Sequence, residues 1–444
     1  MRTSVDHAVL APAMRVGVFG IWHLGAVTAA CLAHLGFRVT GVEANAARLA
    51  SLKSGVPPLY EPGLAELMDR EIAAGRLHFV ADPAAAAGDA DVVILAEDVP
   101  VNDADEPDVS GLLETARAIA PHLRAGTTLI VMSQVPVGTC ALLQRTVSEA
   151  HPGVEIHVAY CPENLRLGAA IERFLHPDMV IIGADTPAAR SRVETLYSGT
   201  QAPKVIMDIR SAEMTKHALN VLLATAISFG NEVGMLCERL GIDAVRVTEA
   251  IRLDRRIGFG LPLLPGPPFS GGTLARDLQV LRRLASARSV AMPLLEGVLA
   301  VNERQKMLAL DRLQEALGDL AGARVAVLGL TYKPGTSTVR RSLAVELIRT
   351  LAVRGASVAA YDPKADLSEA TALPPFVRAP DPVAAARGAD AVVIMTDWPE
   401  FRALDLHALR AAMRGNVLID TRNMLDADTA AATAFSYYGI GRRS

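Results

Sequence analysis

The chain has 444 residues, 51% of them hydrophobic, and a formal net charge of only −4 at pH 7. This composition predicts a soluble globular protein of two or three domains and argues against nucleic acid as its main partner. The sequence shows neither an apolar run of transmembrane length nor a signal sequence in its loose leader, residues 1–14, so we expect a cytoplasmic protein without a membrane partner. The four cysteines (Cys31, Cys140, Cys161 and Cys237) lack metal-ligand spacing, which predicts no metal site and a reducing compartment.

A strand–turn–helix–strand unit follows the leader. The stretch RVGVFG at 15–20 predicts a buried strand, an apolar helix extends to about Leu35, and a second strand at 38–42 ends in Glu43. In such units the helix N-terminus receives a pyrophosphate and the acid binds the ribose hydroxyls. An acid at this place favours NAD over NADP, because it would repel a 2′-phosphate.

The turn of this unit carries an incomplete glycine fingerprint. Gly20 and Gly25 take the first and third places of the G-x-G-x-x-G pattern, whereas Trp22 takes the second, where a glycine normally lets the backbone approach a pyrophosphate. Taken by itself, the turn fits either an NAD site or a strand–helix–strand unit that binds no cofactor.

Three loops follow further buried strands, and loops at the ends of parallel strands line the ligand crevice of open α/β sheets. Two of these strands, at 91–96 and 128–132, each run into a polar or proline-containing loop. The third strand and its loop, VAYCPENLRLG at 158–168, place Glu163 directly after Pro162. Glu163 is therefore a candidate site residue, and the alternative is an ordinary surface charge.

The stretch Ser211–Leu240 predicts one long helix, because it has no proline and repeats apolar residues at helical spacing. We expect Ser211 to cap its start and its mostly apolar faces to be buried. Lys216 and Asn220 interrupt this apolar surface, and since they are four residues apart they share one face of the helix. A buried lysine is costly unless its charge is used, so the pair is a candidate site. The alternative is that Lys216 extends to the surface and Asn220 caps a neighbouring element.

A glycine- and proline-rich loop, Leu253–Asp277, follows the helix, and its glycines would let the backbone wrap closely around a ligand. Helices then lead to a second strand–helix–strand unit at 324–362, which also ends in an acid, Asp362. The turn of this unit lacks the glycine fingerprint but is basic, with Lys333, Arg340 and Arg341. A basic turn of this kind suits a phosphorylated ligand held by side chains, and the alternative is a solvated basic loop.

The alternation of strands and helices predicts an α/β chain. We expect two Rossmann-like doubly wound domains, at 1–205 and 319–444, joined by a long central helix and a helical region at 206–318.

The motifs of the chain, taken together, resemble those of the UDP-glucose/GDP-mannose dehydrogenase family from about residue 15 to residue 425. These motifs are GIWHLG (20–25), YEPGL (60–64), SQVPVGT (133–139), CPENLRLG (161–168), SAEMTKHALN (211–220), DRRIG (254–258), GPPFSGGTLARD (266–277), GLTYKPGTSTVRRS (329–342) and DTRN (420–423). Their order and spacing make the resemblance specific. It implies oxidation of the C6 alcohol of a nucleotide sugar to a carboxylate with two NAD, by a chain that forms a homodimer or higher homo-oligomer. The domains that it implies are an NAD-binding domain at 1–205, a central helical dimerisation domain with the active-site loop at 206–318, and a nucleotide-sugar-binding domain at 319–444.

The resemblance also implies roles for individual residues. Asp277 with a water would take the alcohol proton, and Lys216 and Asn220 would stabilise the developing oxyanion. Glu163 would assist a final hydrolysis, and Arg256 would reach the substrate of a partner chain. The other implied substrate contacts are Asn164, Leu165, Phe269, Gly271, Lys333 and Arg422, and the implied cofactor contacts are Gly20, Trp22, Leu24, Gly25, Glu43, Ser133, Gln134 and Arg340.

One departure from the family pattern bears directly on the chemistry. Thr273 stands where the family has a nucleophilic cysteine, and a hydroxyl is a far weaker nucleophile than a thiolate. We therefore expect NAD-dependent oxidation of a UDP-glucose-like nucleotide sugar that stops at the aldehyde. The alternatives are an acid formed through the aldehyde hydrate, a non-catalytic binder of nucleotide sugar and NAD, and a β-hydroxyacid dehydrogenase. Cys161 is a less favoured candidate for a displaced thiol.

Overall fold

The computed structural model describes residues 14–102, 106–269, 273–370 and 373–443, so the predicted leader up to residue 13 lies outside the described residues. The chain falls into two compact units that divide between Lys216 and His217. The division lies inside one long helix. The predicted three-domain division at 205 and 318 stays a prediction.

The first unit contains one sheet, with eight strands in the described residues. They are β1 (Arg15–Phe19), β2 (Arg38–Val42), β3 (Leu77–Val80), β4 (Val92–Leu95), β5 (Thr128–Val131), β6 (His157–Tyr160), β7 (Val180–Ala184) and β8 (Lys204–Met207). Their order across the sheet is β3-β2-β1-β4-β5-β6-β7-β8. Neighbouring strands run parallel except β6 and β7, where Tyr160 pairs with Gly183 in an antiparallel register.

Helices cover both faces of this sheet. They are α1 (His23–His34), α2 (Ala46–Lys53), α3 (Leu64–Ala73), α4 (Pro83–Ala87), α5 (Ser110–Ile119), α6 (Thr139–Ala150), α7 (Ala170–Leu175) and α8 (Pro187–Leu196). On β4, Val92 and Ile94 pack into one hydrophobic cluster, whereas Val93 and Leu95 pack into another. Burial on both faces explains why the strands are continuous apolar runs, and the predicted doubly wound architecture is confirmed.

The long helix is α9 (Ile209–Arg239), which begins two residues before the predicted start. The side chain of Asp208 accepts hydrogen bonds from the backbone nitrogen of Ser211 at 2.9 Å and from its hydroxyl at 2.5 Å. The prediction that Ser211 caps the helix was therefore wrong, because Asp208 supplies the acceptor for the first-turn amide.

Helix α9 is also less buried within the chain than its apolar sequence predicts. Leu222, Phe229 and Leu236, which are spaced seven residues apart, expose 58%, 49% and 61% of their surface. Among the described residues, α9 is long and apolar enough to cross a membrane, a test that core helices of soluble proteins also pass. The prediction that the chain has no apolar segment of transmembrane length was therefore wrong for α9.

The second unit contains a sheet of seven described strands. They are β9 (Arg324–Leu328), β10 (Ser357–Tyr361), β11 (Val377–Arg378), β12 (Ala391–Ile394), β13 (Val417–Asp420), β14 (Ser436–Gly439) and β15 (Arg442–Arg443). The order is β11-β10-β9-β12-β13-β14-β15, and only the last pair is antiparallel.

The helices of the second unit begin with the continuation of α9. They are α10 (Ala244–Arg252), α11 (Leu274–Ser286), α12 (Pro293–Lys306), α13 (Leu308–Leu317), α14 (Leu343–Val353), α15 (Pro382–Ala386), α16 (Leu406–Ala412) and α17 (Ala427–Ala432). Because α11 begins at Leu274, Asp277 lies in the first turn of a helix and not at the end of a loop, as the sequence had predicted.

Candidate active site

The turn between β1 and α1 tolerates no side chain at either of its glycines. Gly20 has a φ of +83°, and a Cβ built on it would lie 2.5 Å from the backbone of Glu97. A Cβ on Gly25 would lie 2.1 Å from the carbonyl oxygen of Gly20. Trp22 occupies the N-cap position of α1 and is half-buried, while Leu24 packs against the hydrophobic core. The turn thus brings the backbone of α1 close to the ends of β1 and β4.

Glu43 lies directly after β2 and is 8% exposed. Its carboxylate accepts a backbone hydrogen bond from Asn45 at 2.7 Å and two bonds from the Arg48 guanidinium, at 2.9 Å and 3.1 Å. The sequence reasoning missed Arg48, although its position in the first turn of α2 was a usable signal. Any ribose at this site would meet a carboxylate that Arg48 already orients.

Ser133 follows β5 and is buried. Its hydroxyl donates to the carbonyl oxygens of Glu97 at 2.7 Å and Leu95 at 3.3 Å, so it holds the ends of β4 and β5 together. Gln134, the next residue, is half-buried. Contact of either residue with a cofactor stays a prediction.

Lys216 is only 6% exposed, so it does not extend to the surface as the alternative reading proposed. Its ammonium group donates to the carbonyl oxygen of Glu163 at 2.9 Å and to the side-chain oxygen of Asn164 at 2.8 Å. A charge in so buried a place is tolerated when it is hydrogen-bonded. Lys216 therefore fixes the loop after β6 that carries the candidate substrate residues, among which Leu165 packs against the hydrophobic core.

Glu163 is half-buried and accepts a hydrogen bond from the hydroxyl of Tyr197. Burial raises the pKa of Glu163 to about 7, against the opposing effects of Tyr197 and Lys216. At neutral pH the carboxyl group is therefore poised between its acid and base forms, which suits a residue that moves a proton. Tyr197 was missed from the sequence because it lies on another element, 34 residues away.

Cys161 does not provide a displaced nucleophile. Its side chain is 1% exposed and packs in the hydrophobic core, and burial raises its pKa well above the usual range for a thiol. A thiol must ionise to attack a carbonyl group, so the sequence-based candidate is wrong on physical grounds.

Asp277 is fully buried in the first turn of α11, and two side chains of α9 hold its carboxylate. The amide nitrogen of Asn220 lies 2.5 Å from Oδ2, and Nδ1 of His217 lies 2.9 Å from Oδ1. Arg276 adds a cation at 3.9 Å from Oδ1. The structure thus brings the predicted residues Asn220 and Asp277 together and adds His217, which the sequence analysis missed.

Thr273 stands at the N-cap position of α11 with an exposed side chain, one helical turn before Asp277. The backbone nitrogen of Asp277 donates to its carbonyl oxygen at 3.1 Å. Because the side chain of Thr273 is exposed, a reagent in solvent can reach the altered nucleophile position. Gly271, a predicted substrate contact, lies outside the described residues.

Amide side chains that the sequence analysis missed hold the loop before α11. Asn302 brackets the buried residue Phe269, accepting from its backbone nitrogen at 2.9 Å and donating to its carbonyl oxygen at 3.1 Å. Asn231 accepts from the backbone nitrogen of Gly266 at 2.9 Å, and Gln305 donates to the carbonyl oxygen of Gly266 at 2.7 Å. Buried amides on α9 and α12 were the available signal, because buried polar groups are normally hydrogen-bonded.

Arg256 lies on the surface of the second unit, with 88% of its side chain exposed. It forms a two-pronged ion pair with Asp254, whose oxygens lie 2.6–3.3 Å from the guanidinium nitrogens. The role of Arg256 in a partner chain's site stays a prediction.

The basic residues predicted to bind substrate in the second unit differ in their surroundings. Arg422 is half-buried, donates from Nε to the carbonyl oxygen of Met395 at 2.7 Å and lies 3.6 Å from Asp397. Burial lowers its pKa, which reflects the cost of holding the charge there. Lys333 is half-buried in the turn after β9, and Arg340 is exposed in the turn before α14.

Asp362 differs from Glu43 although both end the second strand of their units. One of its oxygens accepts from the backbone nitrogen of Leu330 at 2.7 Å and from Nε1 of Trp398 at 3.0 Å, and the other from the backbone nitrogen of Lys364 at 2.8 Å. Both oxygens of Asp362 thus accept hydrogen bonds from groups of the second unit and stabilise the fold around this turn. This agrees with the lack of a glycine fingerprint in the turn.

Glu61, in the YEPGL motif, is a further buried carboxylate that the sequence analysis assigned no role. It accepts from Nε2 of His23 at 2.7 Å and from the backbone nitrogens of Gly168 and Ala170, at 2.9 Å and 2.8 Å. Burial would raise the pKa of Glu61, but these bonds together lower it below its usual value. Glu61 therefore links the start of α1 to the end of the loop that carries Glu163.

Comparison with known proteins gives three matches to family models along the chain. Residues 14–201 match the NAD binding domain of the UDP-glucose/GDP-mannose dehydrogenase family, residues 210–304 match its central domain, and residues 326–427 match its UDP binding domain. The chain belongs to this family.

Individual relatives agree with that membership. The UDP-glucose 6-dehydrogenase of Rhizobium meliloti is 37% identical over 97% of this chain and 100% of its own, and TuaD of Bacillus subtilis, also a UDP-glucose 6-dehydrogenase, is 34% identical over 96% and 93%. Among solved structures, a UDP-glucose dehydrogenase from Pyrobaculum islandicum is 36% identical and superposes with a TM-score of 0.90 over 99% of this chain and 100% of that chain.

As a member of the UDP-glucose/GDP-mannose dehydrogenase family, the protein is an NAD-dependent dehydrogenase. The first unit fits the cofactor, since Gly20 and Gly25 close a turn that admits no Cβ and Glu43 presents a carboxylate at the end of β2. Trp22 in place of the second glycine does not prevent the turn from forming. The ambiguity that the incomplete fingerprint left is thus resolved in favour of NAD.

Proposed function

We propose that this dehydrogenase oxidises the C6 alcohol of a UDP-sugar, with UDP-glucose as the nearest candidate. The observation that carries the proposal is the buried Asp277 carboxylate, which accepts a hydrogen bond from Asn220 of α9. Lys216 lies one turn before Asn220 on the same helix. A buried carboxylate can act as the base that takes the proton of an alcohol, and a lysine and an amide can stabilise the negative charge that develops on its oxygen. The UDP-binding family model and the names of the relatives support the substrate class.

In the proposed reaction, Asp277 removes the alcohol proton through a water. Lys216 and Asn220 would donate to the oxygen as negative charge develops on it, and this stabilisation would lower the barrier. Bound NAD would accept the hydride. Glu163, with its pKa near 7, would move protons in any later hydrolytic step.

We place the nucleotide part of the substrate in the second unit, in the proposed domain at 319–444. Lys333 and the half-buried Arg422 supply positive charge there. Asp362 already accepts hydrogen bonds from backbone amides, so recognition of the nucleotide would depend on Lys333 and Arg422. Arginine suits this task because its guanidinium group binds phosphate oxygens in pairs.

The experiment that tests this function is a substrate screen. UDP-, GDP- and dTDP-sugars are incubated with the protein and NAD, and reduced cofactor is followed at 340 nm. Turnover with a UDP-sugar is the expected result. Binding of UDP-sugar and NAD by calorimetry without any turnover would instead favour a non-catalytic binder.

We expect the protein to bind NAD more tightly than NADP, because the Glu43 carboxylate would repel a 2′-phosphate. Calorimetry with both cofactors tests this. Glu43→Ala should narrow the difference, since it removes the repulsion and releases Arg48 from its ion pair. Glu149→Ala, which removes an exposed glutamate on α6, serves as the matched control. Equal or tighter binding of NADP by the unmodified protein would contradict the assignment of Glu43.

We also propose that the active form is at least a homodimer, with Arg256 acting on the substrate bound by the partner chain. The exposed row of Leu222, Phe229 and Leu236 on α9 supports this, because such a row of large apolar side chains marks an interaction surface. The same row explains why the helix is apolar on more faces than one chain buries.

Substitution of Phe229 by glutamate should dissociate the dimer and lower activity, because a charge would be buried in the apolar contact. Sedimentation velocity together with the NADH assay measures both effects. Val353→Glu, at an 87% exposed position on α14, is the control and should change neither. An active monomer would contradict the proposal.

A further inference from the structure

We propose that His217 is a positioning residue for Asp277, an inference that rests on the proposed function. His217 follows directly after Lys216, but it was not among the residues that the motifs singled out. The structure places it against the carboxylate that is the proposed base.

The hydrogen bond between His217 and Asp277 has a defined donor and acceptor. The ring nitrogen Nδ1 lies 2.9 Å from Oδ1 of Asp277, and the two side chains are 1% and 0% exposed. An ionised carboxylate can only accept hydrogen bonds, so Nδ1 carries the proton and donates it. Such a charge-assisted bond in a buried setting is stronger than a bond between neutral groups.

His217 and Asn220 together hold both oxygens of the same carboxylate. His217 binds Oδ1 and Asn220 binds Oδ2, and the two residues are three positions apart on α9, hence on one face. Because each oxygen has a donor from α9, the carboxylate cannot rotate about its last bond without breaking these hydrogen bonds. Both donors belong to a single rigid helix, which is the arrangement that preorganises a base.

An apolar side chain at position 217 would change this in two ways. It would leave Oδ1 of a buried carboxylate without its donor from α9, and it would let the carboxylate turn towards Arg276, which lies 3.9 Å away. A misplacement of about 1 Å in a catalytic group costs on the order of 100-fold in rate. His217 thus acts on the rate through Asp277.

The test compares two substitutions of the same residue in the full-length protein with UDP-glucose and NAD. Asparagine at 217 can place its amide nitrogen near the position of Nδ1, whereas leucine cannot donate. We expect His217→Leu to lower kcat roughly 10- to 100-fold with little change in KM for the sugar, and His217→Asn to retain most of the activity. Thermal melting and calorimetric binding of UDP-glucose establish that each variant is folded.

A double-variant cycle separates positioning from general damage. If His217 acts through Asp277, adding His217→Leu to Asp277→Asn should cause no further loss in single-turnover rate. Additive losses, an unchanged kcat in a folded His217→Leu, or an equal loss in His217→Asn would each overturn the inference. If His217→Leu does not fold, His217→Gln takes its place in the test. The amide of a glutamine side chain reaches the position of Nε2 and not that of Nδ1, so this variant should not restore the activity. An inactive unmodified protein would count against the proposed function instead.

Discussion

Replacement of Asp277 by asparagine is expected to abolish hydride transfer while leaving binding of the UDP-sugar largely intact. The change preserves the shape of the side chain and removes its ability to take a proton. Loss of general-base catalysis costs roughly 10²- to 10⁴-fold in rate. The substituted amide keeps one oxygen that can accept from Asn220 or His217, whereas its nitrogen cannot accept from the other donor. Thermal melting therefore establishes that the variant stays folded.

Lys216→Ala tests the other half of the same machinery. It removes a donor to the developing oxyanion, whose loss costs on the order of 10²- to 10³-fold. It also releases the loop that carries Glu163 and Asn164, to which Lys216 donates at 2.9 Å and 2.8 Å. Single-turnover rates and calorimetry measure both effects. For Asp277→Asn, the matched control is Asp311→Asn, which makes the same chemical change at an exposed position on α13. Near-normal turnover of either variant would remove that residue from the mechanism.

Turnover by the unmodified protein is expected to yield one NADH per sugar, together with an aldehyde that hydrazine traps. The reason is the difference in nucleophilicity between the hydroxyl of Thr273 and the thiolate of the family's cysteine. If the aldehyde hydrate were oxidised instead, two NADH would form and mass spectrometry would find no covalent sugar adduct.

Thr273→Cys should raise the count towards two NADH per sugar and make the enzyme sensitive to alkylation. The position favours this test, because Thr273 is exposed at the start of α11 whereas all four natural cysteines are buried. Inactivation by iodoacetamide would therefore report on the new thiol. Thr273→Ser keeps a hydroxyl and is the control for the substitution itself. An unchanged count in Thr273→Cys would mean that the surrounding loop no longer supports the second oxidation.

The parts of the site that the sequence predicted best are those encoded by spacing along one element. Lys216 and Asn220 stood out because a lysine and an amide four residues apart interrupt an apolar helix. The same reasoning predicted the doubly wound sheets from continuous apolar strands such as β4, because strands buried on both faces read this way.

The parts that escaped prediction depend on contacts between distant elements. His217 and Asp277 are 60 residues apart, and Glu61 binds backbone amides 107 and 109 residues away. Local sequence carries no record of such pairing, so a histidine beside Lys216 looked like one more side chain of a long helix. The Ser211 cap failed because the helix begins earlier than predicted, at Ile209. Ser211 therefore lies inside the first turn, where its own backbone nitrogen donates to Asp208.

The most direct measurement of the central claim uses UDP-glucose that carries deuterium at C6. The protein is mixed with this substrate and NAD, and the reduced cofactor is analysed by mass spectrometry after the first turnover. Oxidation of the C6 alcohol predicts that each NADH formed carries one deuterium. Reduced cofactor without deuterium would contradict the assignment of C6 as the hydride donor, and no reduced cofactor from this or any other nucleotide sugar would contradict the proposed activity itself.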